Sequence, residues 1–311
     1  MKQQIALRLM AGNKFGLGHL ARLQKLSLSL KSDYFWIIES ENKNISKLIN
    51  KKNGKYIISK KIDDKKVIKK ILKLGFKKII FDLPDNNFKK KKEIISLYKS
   101  NSFKTVSYDL PKYQTNADIK IIPYLTNYKS LKNKNIFLGP QYLGLRFKKS
   151  KKSKINKILI SISGSDKLNI GKKIFDKLKD TKFKITYIQG LNKKKLATRT
   201  HKIIQFNQSL IKIIDKNDLI ITGEGMTKYD VVYRNKPLII VQQFRSNDLI
   251  KVFNSKKVGY LISKNVAKLK ILNLIDKFNY LVDFQKNQKK IFGGKSNLSD
   301  YKKMINKIIS L

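Results

Sequence analysis

The run Gln3-Gln4-Ile5-Ala6-Leu7-Arg8-Leu9, followed by Phe15-Gly16-Leu17-Gly18-His19-Leu20-Ala21-Arg22, decides how the chain is read. A mostly apolar segment of strand length leads into a glycine-spaced turn, and a stretch of helical period follows over 18–30. A strand that leaves through glycines into a helix opens a βα unit. Gly16 and Gly18 let the backbone turn tightly and approach a ligand, and the helix begins there with unbonded amides.

The same alternation continues outward from that turn. Strands are expected at 3–9, 34–38, 55–58, 77–81 and 103–108, with helices at 18–30, 42–50, 63–74 and 88–100. The regularity breaks over 111–147, where Pro111, Pro123 and Pro140 fall. A lysine-rich segment at 148–154 then reads as a solvated linker. Beyond it the pattern restarts, with strands at 157–161, 183–188, 203–206, 219–222, 238–241 and 259–262. Helices are expected at 168–178, 210–214, 226–234 and near 247–255, and terminal helices close the chain. Alternation of this kind predicts an α/β fold with parallel sheets. The expected architecture is two Rossmann-like domains, 1–150 and 151–311, facing across a cleft. Ligands of such sheets sit at the carboxyl ends of the strands.

Three turns carry the candidate chemistry. His19 is expected on the first helical turn, where a neutral imidazole can take a proton from water. Spacing alone leaves a packing or capping histidine equally open. His201, with no glycine loop beside it, reads as structural. In the second half, the strand over 157–161 runs into Gly164-Ser165-Asp166. Small polar residues there suit a phosphate or sugar contact, while Asp166 serves equally as a helix cap. The strand over 219–222 ends in Gly223-Glu224-Gly225-Met226-Thr227, with Asp230 one turn into the next helix. Free amides and Thr227 there would cradle a pyrophosphate, and a carboxylate on the same side would accept from ribose hydroxyls. No Gly-Lys-Ser/Thr follows, so the turn is not a P-loop. An ordinary strand-turn-helix remains the structural alternative.

Composition sets the outer limits. Hydrophobic residues make up 41% of the 311, enough for two cores, and cysteine is absent. Thiolate nucleophiles, disulfides and cysteine zinc sites are thereby excluded. The net charge of +49 is almost all lysine, spread along the chain, with arginine only at positions 8, 22, 146, 199, 234 and 245. Base readers and phosphate clamps favour arginine, so the excess reads as solvated surface that attracts anionic substrates. A basic nucleic-acid-binding protein is kept as the alternative from another class. No apolar run approaches the roughly 20 residues of a membrane helix. No signal-peptide layout is evident at the amino terminus, so a cytoplasmic protein is expected; it is expected to be a monomer.

The turn containing Gly16, Gly18, His19 and Arg22, together with Gly164-Ser165-Asp166 and Gly223 to Asp230, resembles the UDP-2,4-diacetamido-2,4,6-trideoxy-β-L-altropyranose hydrolases of pseudaminic acid biosynthesis. That family includes spore-coat polysaccharide proteins and is related to GT-B glycosyltransferases. The segment from Leu138 to Arg146 also looks like the family's stretch before its interdomain linker. The resemblance implies hydrolysis of a UDP-activated deoxy-amino sugar, with a glycosyltransferase on the same scaffold as the alternative. It implies that His19 activates water and that Gly16, Gly18, Arg22, Arg146, Gly164, Ser165, Asp166 and Asn247 meet the substrate. Gly223, Glu224, Gly225, Met226, Thr227 and Asp230 would hold the nucleotide. No cofactor, metal or specific nucleic-acid partner is implied. The chain departs from the family at Met10 and Asp248, where an aspartate and a glutamine are usual.

Overall fold

A computed structural model describes residues 3–12, 15–49, 54–128, 133–150, 154–164, 166, 168–190, 198, 200–205, 210–243, 248–265, 268–276, 278–294 and 296–311. The chain forms two compact units, Met1–Gly144 with Ser296–Leu311, and Leu145–Lys295.

The first unit is built on a wholly parallel seven-stranded sheet. Its strands are β1 (Gln4–Met10), β2 (Asp33–Glu39), β3 (Gly54–Ser59), β4 (Lys78–Asp82), β5 (Lys104–Tyr108), β6 (Ile119–Ile122) and β7 (Ile136–Leu138). They lie in the order β3-β2-β1-β4-β5-β6-β7. Central strands of a parallel sheet are covered on both faces, which is why β1, β2 and β4 read as near-continuous apolar runs. Helices α1 (Gly18–Leu30), α2 (Asp64–Lys73) and α3 (Phe88–Ser100) supply the cover. Asp63 and Asn87 start α2 and α3 by accepting from Lys66 N and Lys90 N. The core under α2 and α3 joins Ala6, Phe35, Ile37, Ile71, Phe81 and Tyr98.

Two local expectations change. The segment expected as a helix over 42–50 is a 3₁₀ turn, Lys43–Leu48. Ile45 within it and Ile49 just after it are buried, and Leu48 is half-buried. The irregular stretch 111–147 contains β6 and β7, strands of 4 and 3 residues too short to show a period.

The last helix (Ser296–Ile309) belongs to the first unit. Gln3 Nε2 and Lys78 Nζ donate to the Ile309 carbonyl at 2.8 and 2.5 Å, and Tyr301 Oη donates to Ser29 Oγ at 3.0 Å. Gly144, in the left-handed region at φ 61°, lies against the Tyr301 ring, where a Cβ would come within 2.5 Å. Only glycine fits both demands there.

The second unit carries a parallel six-stranded sheet in the order β10-β9-β8-β11-β12-β13. Its strands are β8 (Lys157–Ser161), β9 (Lys184–Gln189), β10 (Lys202–Gln205), β11 (Leu219–Thr222), β12 (Leu238–Gln242) and β13 (Tyr260–Ser263). Its helices are α4 (Ile170–Leu178), α5 (Leu210–Asp215), α6 (Thr227–Tyr233), α7 (Asp248–Ser255), α8 (Lys268–Asp276) and α9 (Phe278–Phe292), and the last helix of the chain is α10. Ile158, Ile160, Ile174, Phe175, Ile221 and Val241 centre its core. In both sheets the order reverses beside the first strand, the position at which α/β sheets open a crevice at their carboxyl ends. Among the described residues no helix is long and apolar enough to cross a membrane.

Candidate functional site

In the first unit, β1 leaves through Gly12 and Gly16, which exchange backbone hydrogen bonds of 2.9 and 2.7 Å. This closed loop sets the start of α1 at Gly18, one residue before His19. Because β4 lies beside β1, with Asp82 opposite Leu9, the last residue of β4 emerges next to that helix. His19 Nδ1 lies 2.6 Å from Asp82 Oδ1. Arg22, one turn along α1, donates through Nε to Asp82 Oδ2 at 2.7 Å and through Nη2 to Asp82 Oδ1 at 2.5 Å. Arg22 Nη1 donates to Tyr124 Oη at 3.2 Å, and its guanidinium stacks 4.6 Å from the Tyr108 ring centre.

The electrostatics of this group keep Asp82 ionised. Asp82 is fully buried, and burial alone would push its carboxyl up. The Arg22 charge, with the charge and hydrogen bond of His19, outweighs burial and holds it at about 2. An ionised carboxylate only accepts, so the 2.6 Å contact requires the proton on His19 Nδ1. That assignment follows from the network, and it makes the 3.5 Å approach of Arg22 Nη2 to the same nitrogen a contact of two donors. In the neutral ring this tautomer puts the lone pair on Nε2, on a side chain that is 19% exposed. A carboxylate that orients an imidazole and faces the charge it acquires is an arrangement able to support general-base chemistry.

Asp82 was not among the residues singled out from sequence. The available signal was Phe81-Asp82-Leu83-Pro84, a carboxylate closing an apolar strand. Its relevance depends on strand order, which places it against a helix 60 residues earlier.

The second unit places Gly223 to Asp230 at the exit of β11, beside the exits of β8 and β12. Gly223 is buried, and its amide donates to the Ile162 carbonyl at 3.1 Å. A Cβ at Gly223 would come 2.4 Å from that carbonyl oxygen and 2.7 Å from Gln243 Oε1, so the close approach of backbones requires glycine. Glu224 Oε1 accepts from Gln243 N at 2.8 Å, tying the exits of β11 and β12 together. Gly225 is exposed, with nothing near its Cβ position. Met226, Thr227 and Asp230 are half-buried, Thr227 opening the seven-residue α6 and Asp230 following one turn later. Lys228, unremarked in the sequence, is buried, and its Nζ donates to the Glu224 and Gly225 carbonyls at 2.5 and 3.0 Å. It braces the turn from behind.

Other expected residues do not join these groups. Asp166 turns inward, its two carboxylate oxygens accepting from Ile170 N and Gly171 N at 3.0 and 2.9 Å. Its carboxylate is committed to starting α4, while Gly164 stays half-exposed beside it. Arg146 is exposed on the irregular segment after Gly144. Ser165 and Asn247 lie outside the described residues. His201 Nε2 donates to the Lys179 carbonyl at 2.6 Å, and its ring meets Phe175 edge-on, a packing role. A cavity of about 640 Å³ sits at the amino-terminal ends of β8, β9 and β10, lined by Lys157, Lys184, His201 and Lys202. None of the expected site residues lines it, so polar geometry at the strand exits locates the candidate site. Among the described residues no group of three or more His, Asp or Glu is placed to hold a metal ion.

Two parallel-sheet α/β domains in tandem fit the GT-B class of fold. Solved structures agree. MurG of Acinetobacter baumannii matches with a TM-score of 0.68 at 10% identity, over 99% of this chain and 100% of that one. The spinosyn forosaminyltransferase SpnP matches at 0.66 and 8% identity, over 100% of each chain. HepE of Anabaena, in complex with UDP and glucose, matches at 0.58 and 10% identity, over 99% of this chain and 100% of that one. No family model matches the chain. An uncharacterized protein of Methanocaldococcus jannaschii is 26% identical over 266 residues, 74% of this chain and 54% of that protein. The chain thus spans about half the length of that curated relative.

Proposed function

We propose that the chain hydrolyses a UDP-activated deoxy-amino sugar to UDP and the free sugar, serving nonulosonic acid or surface-polysaccharide synthesis. The observation that carries the proposal is the 2.6 Å contact between His19 Nδ1 and Asp82, which in the neutral ring makes Nε2 the base. A water oxygen attacks the anomeric carbon while Nε2 takes its proton. The bond from that carbon to the diphosphate oxygen breaks, and its electron pair leaves with UDP. Asp82 offsets the charge that the imidazole acquires, and Arg22 keeps the carboxylate from turning. In the second unit, Gly223 to Thr227 would hold the diphosphate and Asp230 the ribose. The family resemblance and the UDP in the HepE complex support the nucleotide assignment.

A glycosyltransferase is the second reading, favoured by the transferase SpnP among the structural matches. The same base would then take its proton from an acceptor hydroxyl. Incubation with UDP-sugars alone separates the two. Steady release of UDP and free sugar, abolished in His19→Asn, supports hydrolysis. Turnover that appears only when an acceptor sugar or lipid is added overturns hydrolysis in favour of transfer.

A further inference from the structure

We propose that Lys91 is a positioning residue for the His19–Asp82 pair, locking the exits of β4 and β5 around it; this rests on the reading of His19 as the base. In α3, Lys91 occupies a core position of the helix, one stripe with Ile94, Ile95 and Tyr98. Among the described residues most lysines are exposed, yet Lys91 is 2% exposed. Burying an ammonium is strongly unfavourable unless each of its three protons finds an acceptor. Here all three do. Nζ lies 2.6 Å from Asp85 Oδ1, 2.6 Å from the Tyr108 carbonyl and 3.2 Å from Asp109 Oδ1.

The acceptors are what give the lysine its reach. Asp85 stands three residues beyond Asp82, in the turn by which β4 leaves the sheet. Tyr108 ends β5, and its ring carries the Arg22 guanidinium that grips Asp82. Asp109 is itself held by Ser107 Oγ at 2.6 Å, Thr115 N at 2.8 Å and Thr115 Oγ1 at 2.9 Å, which makes it a fixed anchor. A continuous path therefore runs from Lys91 through Tyr108, Arg22 and Asp82 to His19. A second path runs along the backbone from Asp85 to Asp82. The lysine also separates like charges, because Asp82 and Asp109 both act on Asp85. Burial raises the Asp85 carboxyl, and the ammonium opposes that rise. Without the ammonium the exit turn of β4 would relax away from its neighbours, and Asp82 would lose its aim at Nδ1.

The test uses the two histidines of the chain. In protein labelled with ¹⁵N-histidine, His201→Asn assigns the His19 ring signals, including the downfield proton of the Nδ1 bond to Asp82. Lys91→Met should stay folded by circular dichroism, lose or shift that proton, and lower kcat roughly 10- to 100-fold with KM within about twofold. Asp85→Asn should act in the same direction and more weakly, since the amide oxygen can still accept from Lys91 and only the charge is lost. If Lys91→Met does not fold, Asp85→Asn decides the matter. Unchanged His19 signals and kcat in a folded variant would make Lys91 a fold residue only and overturn the proposal. Absence of turnover by the unmodified protein on any UDP-sugar would count against the base reading instead, while the His19 signals would still judge the positioning.

Discussion

Replacing Asp82 by asparagine perturbs one atom and tests the whole arrangement. The carboxylate accepts three hydrogen bonds, from His19 Nδ1 and Arg22 Nη2 at Oδ1 and from Arg22 Nε at Oδ2. An amide has one acceptor oxygen, so either orientation sets its NH₂ against an Arg22 donor. Both leave a buried guanidinium without its counter-charge, a loss of about 3–5 kcal/mol. With the amide oxygen toward His19, the tautomer survives and only the charge facing the imidazolium is lost. With the NH₂ toward His19, Nδ1 becomes the acceptor and Nε2 carries the proton, which removes the base. Expected kcat losses run from about 10² in the first case to about 10⁴ in the second. The assay is UDP release under saturating UDP-sugar, with urea unfolding for stability and ¹⁵N shifts of the His19 ring to report the tautomer. A folded Asp82→Asn protein that keeps kcat within about threefold would refute the dyad.

Three further outcomes follow from the same geometry. His19→Asn should keep UDP-sugar binding and lower kcat by roughly 10²–10⁴, measured by calorimetry and steady-state turnover; joint loss of binding and stability would mark a packing histidine. Asp230→Ala should weaken UDP binding by about 1.5–3 kcal/mol in titration calorimetry, and unchanged affinity would remove it from the nucleotide site. Asp82 is held at about 2 in the folded chain, below the usual carboxylate range, so its contribution to stability is fully present above about pH 4 and lost as pH falls towards 2. The loss amounts to about 2–3 kcal/mol, and urea midpoints between pH 2 and 5 should show a shallower acid limb in Asp82→Asn.

The fold was legible because parallel sheets write themselves as apolar runs. Strands such as 219–222 and 238–241 are buried along their whole length, and no surface residue interrupts them. Legibility failed where the elements were too short to carry a period. Strands β6 and β7 hide in the proline-containing stretch, and the 3₁₀ turn Lys43–Leu48 imitates a helix in composition. The lysine excess told little about either, since a lysine on a solvated face leaves no mark on packing. Its few buried members, Lys91 and Lys228 among the described residues, were invisible for the opposite reason. Each resembles its many exposed neighbours until its acceptors are known.

The site divides along the same line. Gly16, Gly18 and His19 share one turn, so local sequence announced them together. Asp82 is 63 residues from His19, and only the adjacency of β1 and β4 joins them. A lone histidine on a helix start has two chemical futures, packing or proton transfer, and nothing within its own turn separates them. What favours the proposed proton transfer is the identity of the group at Nδ1. A backbone carbonyl there would fix the tautomer but leave the imidazolium uncompensated. A carboxylate fixes the tautomer and stabilises the charged form that proton transfer creates. Holding that carboxylate ionised while fully buried requires Arg22, and holding Arg22 in place requires Tyr108 and Tyr124. The buried charge behind His19 is therefore the stronger argument for chemistry than the glycine turn in front of it.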